Sequence, residues 1–242
     1  MGREPYMTFT EHLEELRWCL IKSLAVVLLA FLVCFYFSDR IVAFMIAPLK
    51  RTLQPGQGLI GTGVAEAFFF EIKVGLVAAL FLASPVIFYQ LWRFIAPGLR
   101  EDEKRLVIPF VLFTSLFFLG GAYFCYWGVL PVAFLYFIDQ YRSLEVSPEI
   151  RIGEYFTFFF RMVLAFGITF ELPLFTFFLV RLGIWDYRFM WRTFRYAIIA
   201  ISVVAAILTP GPDVASQILL AVPLTLLYLL SIGVAYVWRK TE

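Results

Sequence analysis

The chain has little of what chemistry in water uses. Its 242 residues include one histidine and three cysteines, and only 16% are charged, against about 25% in an ordinary soluble domain. With His12 as the sole histidine, a histidine-based metal site or catalytic dyad inside a membrane has no material. Cys19, Cys34 and Cys125 are too few and too scattered for a disulfide framework or a metal cluster, and read as small apolar side chains. The Gly-x-Ser-x-Gly elbow, His-Glu-x-x-His, the phosphate-cradling Gly-x-x-x-x-Gly-Lys and Cys-x-x-Cys are all missing. A hydrolase or an ATP-driven pump is thereby excluded, and neither enzymatic activity nor a cofactor is expected. A potassium-type filter and an arginine-repeat voltage sensor are missing too. Twenty basic residues against 18 acidic ones leave a net charge of +2, which offers no basic field to nucleic acid.

Apolar residues are abundant instead. Hydrophobic residues make up 62% of the chain and aromatic ones 19%, with a mean hydropathy of +0.86. A helical crossing needs about 20 mostly apolar residues. Six runs qualify, at about 20–37, 67–91, 106–136, 156–182, 196–209 and 214–237. The expected class is an all-α polytopic protein with six transmembrane helices in one membrane domain, the fifth and sixth spans being short. The fifth covers about 20 Å of a core about 30 Å thick, and Thr209 to Asp213 turns directly into the sixth.

Ahead of the first run, Phe9, Leu13, Leu16 and Leu20 repeat at helical spacing, and Thr8 with Glu11 fits a capping box. This predicts an amphipathic helix over 8–20. It is not a secretory signal, since acidic residues occupy the basic n-region. Pro48, Pro55 and the glycines 56, 58, 61 and 63 predict an outer loop over 40–64 with one short apolar piece at 41–49. Pro85, Pro109, Pro131 and Pro173 predict bends or kinks within spans.

Orientation follows from basic residues. With the N-terminus inside, thirteen Lys and Arg fall in inner segments and five (Arg40, Lys50, Arg51, Arg142, Arg151) in outer loops. Both termini are therefore expected in the cytoplasm.

Some polar residues stand out against this background. Glu11, Glu14 and Glu15 precede the first span, and Glu101, Asp102 and Glu103 lie in the next inner loop, on the side that normally keeps basic groups. Such a patch suits a cationic ligand, because carboxylates take bidentate hydrogen bonds from guanidinium; the alternative is a solvated face paired with Arg17, Arg100, Lys104 and Arg105. Glu171 sits in the middle of the fourth span, where a charge costs roughly 2.5–3.5 kcal/mol on insertion scales. It reads either as a polar contact or proton site, or as a neutral acid satisfied by another helix. Gln90 and Gln217 are weaker cases of the same kind, and Asp213 stands where the sixth helix needs its N-cap.

Taken in order, these stretches resemble the TatC family, the multi-spanning receptor subunits of the twin-arginine protein translocase. The resemblance is carried by His12-Leu13-Glu14-Glu15-Leu16-Arg17, by Glu66-Ala67-Phe68-Phe69, by Tyr89 to Leu99 with Glu103-Lys104-Arg105, by Phe166 to Pro173, and by Thr209-Pro210 through Asp213 to Gln217. Two positions depart from the family pattern: Cys19, where a basic residue is frequent, and Gly63 or Val64, where a proline often precedes the Glu66 motif. The resemblance implies a six-helix receptor in the cytoplasmic (inner) membrane, oligomeric in its complex. It would bind twin-arginine signal peptides and work with TatA- and TatB-type single-span subunits to export folded proteins on the proton-motive force. It further implies that Phe94 and Glu103 form the core of the signal-binding site, with Glu15 and Arg17 beside them. Glu171, with Gln90 as a weaker companion, would be an intramembrane polar contact. Thr209 and Gln217 would lie where a partner helix docks, and Asp213 would matter for assembly. The rival reading is a proton-coupled transporter of a small solute with Glu171 as the titrating group.

Overall fold

The computed structural model describes residues 9–54, 57–96, 107–209 and 213–238. Among these are the helices α1 (Phe9–Tyr36), α2 (Ser38–Lys50), α3 (Glu66–Ile95), α4 (Val107–Phe124), α5 (Leu130–Ser143), α6 (Ile152–Phe170), α7 (Leu172–Arg181), α8 (Tyr187–Leu208) and α9 (Val214–Val237). A π-helical turn, Cys125–Val129, joins α4 to α5. Two short strands, β1 (Leu59–Ile60) and β2 (Ile150–Arg151), pair in parallel with Leu59 opposite Ile150. Six stretches of 22 to 36 residues are long and apolar enough to cross a bilayer. The chain is an all-α, multi-pass membrane protein.

It divides into two compact units, Met1–Val42 with Phe69–Ser115 and Ala43–Phe68 with Leu116–Glu242. In the first, one stripe of α1 packs on α3: Val27, Ala30 and Cys34 bury against Ala79 and Ala83. Gly75 allows the approach, since a Cβ there would stand 3.2 Å from the Phe31 ring. Small residues at such contacts are what membrane helices use, because lipid supplies no hydrophobic drive for helices to associate. The opposite stripe, Leu24, Leu28 and Leu32, is more than half exposed and suits acyl chains. Pro85 cannot donate to the Phe81 carbonyl four residues back, and the Ser84 hydroxyl does so at 2.8 Å, which keeps α3 continuous.

The second unit handles its prolines in the same way. Pro48 frees the Phe44 carbonyl of α2, which accepts from the Tyr126 hydroxyl at 2.7 Å, and Tyr155 donates to the next carbonyl, Met45, at 2.6 Å. Ahead of Pro131, the chain widens into the π turn, where Leu130 N–H reaches back to the Cys125 carbonyl. α4 and α6 cross closely at Gly121 and Gly167. A Cβ on Gly121 would lie 2.6 Å from the Phe166 carbonyl oxygen, and one on Gly167 would lie 2.9 Å from the Phe118 ring. Glu66, opening α3, accepts from the Thr62 and Gly63 amides at 2.6 and 3.1 Å.

Several elements differ from the sequence expectation. Residues 38–50 are helix, not loop with a short apolar piece, because two tyrosines from later in the chain satisfy the carbonyls around Pro48. The fifth helix begins at Tyr187, not near 196, whereas the sixth spans Val214–Val237 as expected; at 22 and 24 residues the two are the shortest of the six crossings. The first turns of α8 hold because Met190 buries against Val180, Ile232 and Ala235 while Arg188, Arg192 and Arg195 stay exposed. The helix is longer than its apolar run, and its basic side chains are of the kind that snorkel toward a membrane surface. The third crossing continues to Ser143, and the fourth breaks at Glu171. α7 ends in a Schellman motif: Gly183 takes a φ of 76°, and Ile184 N–H reaches the Leu179 carbonyl at 2.9 Å.

Candidate functional site

The first turns of α1 and the last turn of α3 meet within the first unit. His12 stacks flat on Phe94, with ring centroids 4.2 Å apart and 15° between planes. One helical turn beyond His12, Glu15 places a carboxyl oxygen 3.9 Å from His12 Nδ1. That oxygen is buried and accepts no hydrogen bond among the described residues. Glu14 and Arg17 are exposed on the same helix. The end of α3 is fixed by Trp92, 3% exposed, whose indole N–H donates to the Thr114 hydroxyl at 3.3 Å and whose ring packs on Phe110 at 4.8 Å. α3 and α4 are thus tied on either side of the connection that carries Glu103. Glu103 itself lies outside the described residues, as do Thr8 of the expected capping box and 210–212 of the last turn.

The structure therefore brings Phe94 and Glu15 together, with His12 between them. In the sequence His12 stands out as the sole histidine and as the first residue of the His12-to-Arg17 stretch, without a role of its own; its spacing of three from Glu15 is the available signal. An aromatic platform beside an acceptor with capacity to spare can take a planar cation, one face on the ring and the edge on the carboxylate. Gln90, one turn before Phe94, is buried with its carbonyl oxygen lacking a partner among the described residues.

Glu171 occupies the junction between α6 and α7 in the second unit. Pro173 cannot continue the α6 ladder, so the helix restarts: Glu171 N–H bonds the Ile168 carbonyl, and the Glu171 carbonyl accepts from Phe175 N–H at 2.8 Å. Both side-chain oxygens are buried, and neither meets the geometry of a hydrogen bond among the described residues. The Phe118 backbone of α4 is the polar group beside it.

The remaining expected residues gather at the hairpin of α8 and α9. Asp213 caps α9, accepting from Ser216 N–H at 2.8 Å and the Ser216 hydroxyl at 2.6 Å, and also from the Tyr136 hydroxyl at 2.9 Å. These donors, Ser216 foremost, hold its carboxyl below the ordinary aspartate range. Gln217 donates its amide to the Ser202 carbonyl at 2.8 Å, bridging the hairpin, and Thr209 turns its hydroxyl back onto the Ala205 carbonyl at 3.1 Å. Tyr136 and Ser202 carried no sequence signal.

Comparison with known proteins agrees with this architecture. Residues 11–223 match the family model described as Sec-independent protein translocase protein (TatC). The Sec-independent protein translocase protein TatC of Koribacter versatilis is 42% identical over 233 residues, covering 95% of this chain and 85% of that protein. The protein of the same name from Campylobacter jejuni is 45% identical over 222 residues, covering 91% and 90%. A crystal structure of a twin-arginine translocase receptor, TatC, superposes with a TM-score of 0.83 at 37% identity, covering 94% of this chain and 99% of that one.

Proposed function

Since the chain belongs to the TatC family and is a component of the twin-arginine translocase, we propose that it binds twin-arginine signal peptides through the end of the first unit that carries Phe94, Glu15, Arg17 and Glu103. Glu103 and Glu15 take the two guanidinium groups, Phe94 with His12 supplies the flat apolar surface beside them, and Arg17 orients the acidic pair. The chemistry is non-covalent recognition. The observation that carries the reading is the stack of His12 on Phe94 next to a Glu15 oxygen without a hydrogen bond.

In this reading the protein lies in the cytoplasmic membrane with both termini inside, as the basic-residue count favours. It works as an oligomeric complex with TatA- and TatB-type single-span subunits, exporting folded proteins on the proton-motive force. A partner helix docks along α8, whose Ile199, Val203 and Ile207 form one exposed stripe leading to Thr209 and the Gln217 bridge. Asp213 holds that hairpin for assembly. Glu171, with Gln90, offers polar contacts at membrane depth. The relatives are protein translocase subunits, and nothing in them supports a small-solute transporter.

The test is capture of an arginine-pair signal peptide and its lysine-pair version by the parent and by Glu103→Ala. A charge-assisted contact is worth roughly 1.5–3 kcal/mol, so Glu103→Ala should lose about tenfold or more for the arginine peptide. The lysine peptide should bind the parent less well, lacking the planar fork. Equal capture in all four combinations overturns the proposal.

A further inference from the structure

Within the second unit, well away in sequence from the acidic first turns of α1, a cavity of about 320 Å³ opens where α2, α5, α6 and the cap of α9 meet. That volume is at the lower end of small-molecule sites. Phe134, Tyr155 and Phe158 wall it, with Leu49 and Tyr141 alongside. These walls are set in place: Phe134 packs on Tyr155 at 5.4 Å and on Phe158 at 5.8 Å, and the Tyr155 hydroxyl is held by the Met45 carbonyl.

Two carboxylates complete the lining, Asp213 and Glu154. Asp213 takes its hydrogen bonds from neutral donors, Ser216 and Tyr136, and no cationic side chain among the described residues lies within ion-pair distance of it. Neutral donors leave the negative charge of the carboxylate without a counter-ion. Glu154 has only a loose contact, 3.8 Å, with Arg151, and both are more than half exposed. The site thus combines an aromatic wall, an anion lacking a counter-ion and a second, exposed anion with a cation next to it.

Its depth narrows the choice of occupant. Asp213 directly precedes the apolar run Val214–Val237, Tyr155 lies in the first turn of the run that starts at Ile152, and Tyr141 lies in the last turn of the run that ends at Ser143. This is the level of lipid headgroups, where aromatic side chains collect. We propose that the cavity is a binding site for the headgroup of an ethanolamine phospholipid: the primary ammonium enters between the aromatic walls and bonds Asp213 and Glu154, and Arg151 at the rim meets the phosphate. An ammonium inside such a wall gains from the ring faces as well as from the anions. Neither the charge pattern nor the wall suits a phosphatidylglycerol headgroup, which brings no cation to Asp213.

The proposal is independent of signal-peptide recognition and is tested without it. The purified full chain in detergent is titrated with dihexanoyl phosphatidylethanolamine or dihexanoyl phosphatidylglycerol, and bound lipid is counted by native mass spectrometry. One ethanolamine lipid should be retained saturably, at least tenfold more tightly than the glycerol lipid. Asp213→Asn removes the charge but keeps a side chain equally good at an N-cap, so the fold is retained, and it should lose that preference by tenfold or more. Glu154→Gln, at an exposed position, should weaken it less. Equal binding of the two lipids by the parent, or an unchanged preference in both variants, overturns the assignment.

Discussion

The Tyr126 hydroxyl donates, at 2.7 Å, to the Phe44 carbonyl that Pro48 leaves without an amide. The two rings also stack, 4.3 Å apart and nearly parallel. A residue from the π turn thus repairs a helix that lies 82 positions earlier in the sequence. Tyr126→Phe should keep the stack and lose the bond, costing about 0.5–1.5 kcal/mol in thermal unfolding in detergent. In a Pro48→Ala background the restored amide makes the hydroxyl dispensable, so the same substitution should cost clearly less there. An equal cost in both backgrounds refutes the coupling.

The crossing of α4 and α6 makes neighbouring glycines unequal. A Cβ on Gly121 meets backbone oxygen at 2.6 Å, whereas a Cβ on Gly120 meets nothing within 4 Å. Gly121→Ala should destabilise by about 1–3 kcal/mol, as overpacking does, while Gly120→Ala should be neutral or slightly stabilising through helix propensity. Matched melting curves of the two variants decide it.

Glu171 carries a stability cost that a purely structural residue would not. Its oxygens are buried without hydrogen bonds among the described residues. Replacing the acid by Leu should raise the unfolding free energy of the isolated protein by up to about 1–3 kcal/mol, read as a higher melting midpoint, and lower export in cells. A variant that is less stable would instead show that the carboxyl braces the break between α6 and α7.

Asp213 gives a pH dependence with a definite sign. Its folded carboxyl lies below the ordinary value of about 3.9, so its contribution is complete above that value and is lost as pH falls through the lower folded one. The stability difference between the parent and Asp213→Asn should be constant near neutrality and shrink under acid. A gap that widens as pH falls contradicts the hydrogen-bond geometry.

The spans were legible because lipid demands long apolar runs whatever the partners, and those runs persist in α1, α3 and α9. Phe94 and Glu15 were legible through a motif, and the structure adds His12 as the link between them. What stayed hidden depends on contacts between distant positions. Tyr155 reaches Met45 over 110 residues and Tyr136 reaches Asp213 over 77, and no local pattern announces either. For the same reason α2 read as a loop: its proline is tolerable only once the tyrosines arrive. Gln217 stood out as an amide within a span, but that it holds the Ser202 carbonyl of the preceding helix could not be read from its position. The length of α8 was concealed by arginines at positions where helix and loop look alike in composition.

The π turn at Cys125–Val129 has a geometric consequence for everything after it. One surplus residue in a helix rotates the following side chains by about 100° relative to an unbroken α register. α5 thereby aims Tyr136 at Asp213 and Phe134 at Tyr155. The same residues wound as an unbroken α-helix would point both side chains around a different quadrant. The wide turn is thus the indexing step that sets the azimuth of α5 against the aromatic chamber and the cap of the last helix.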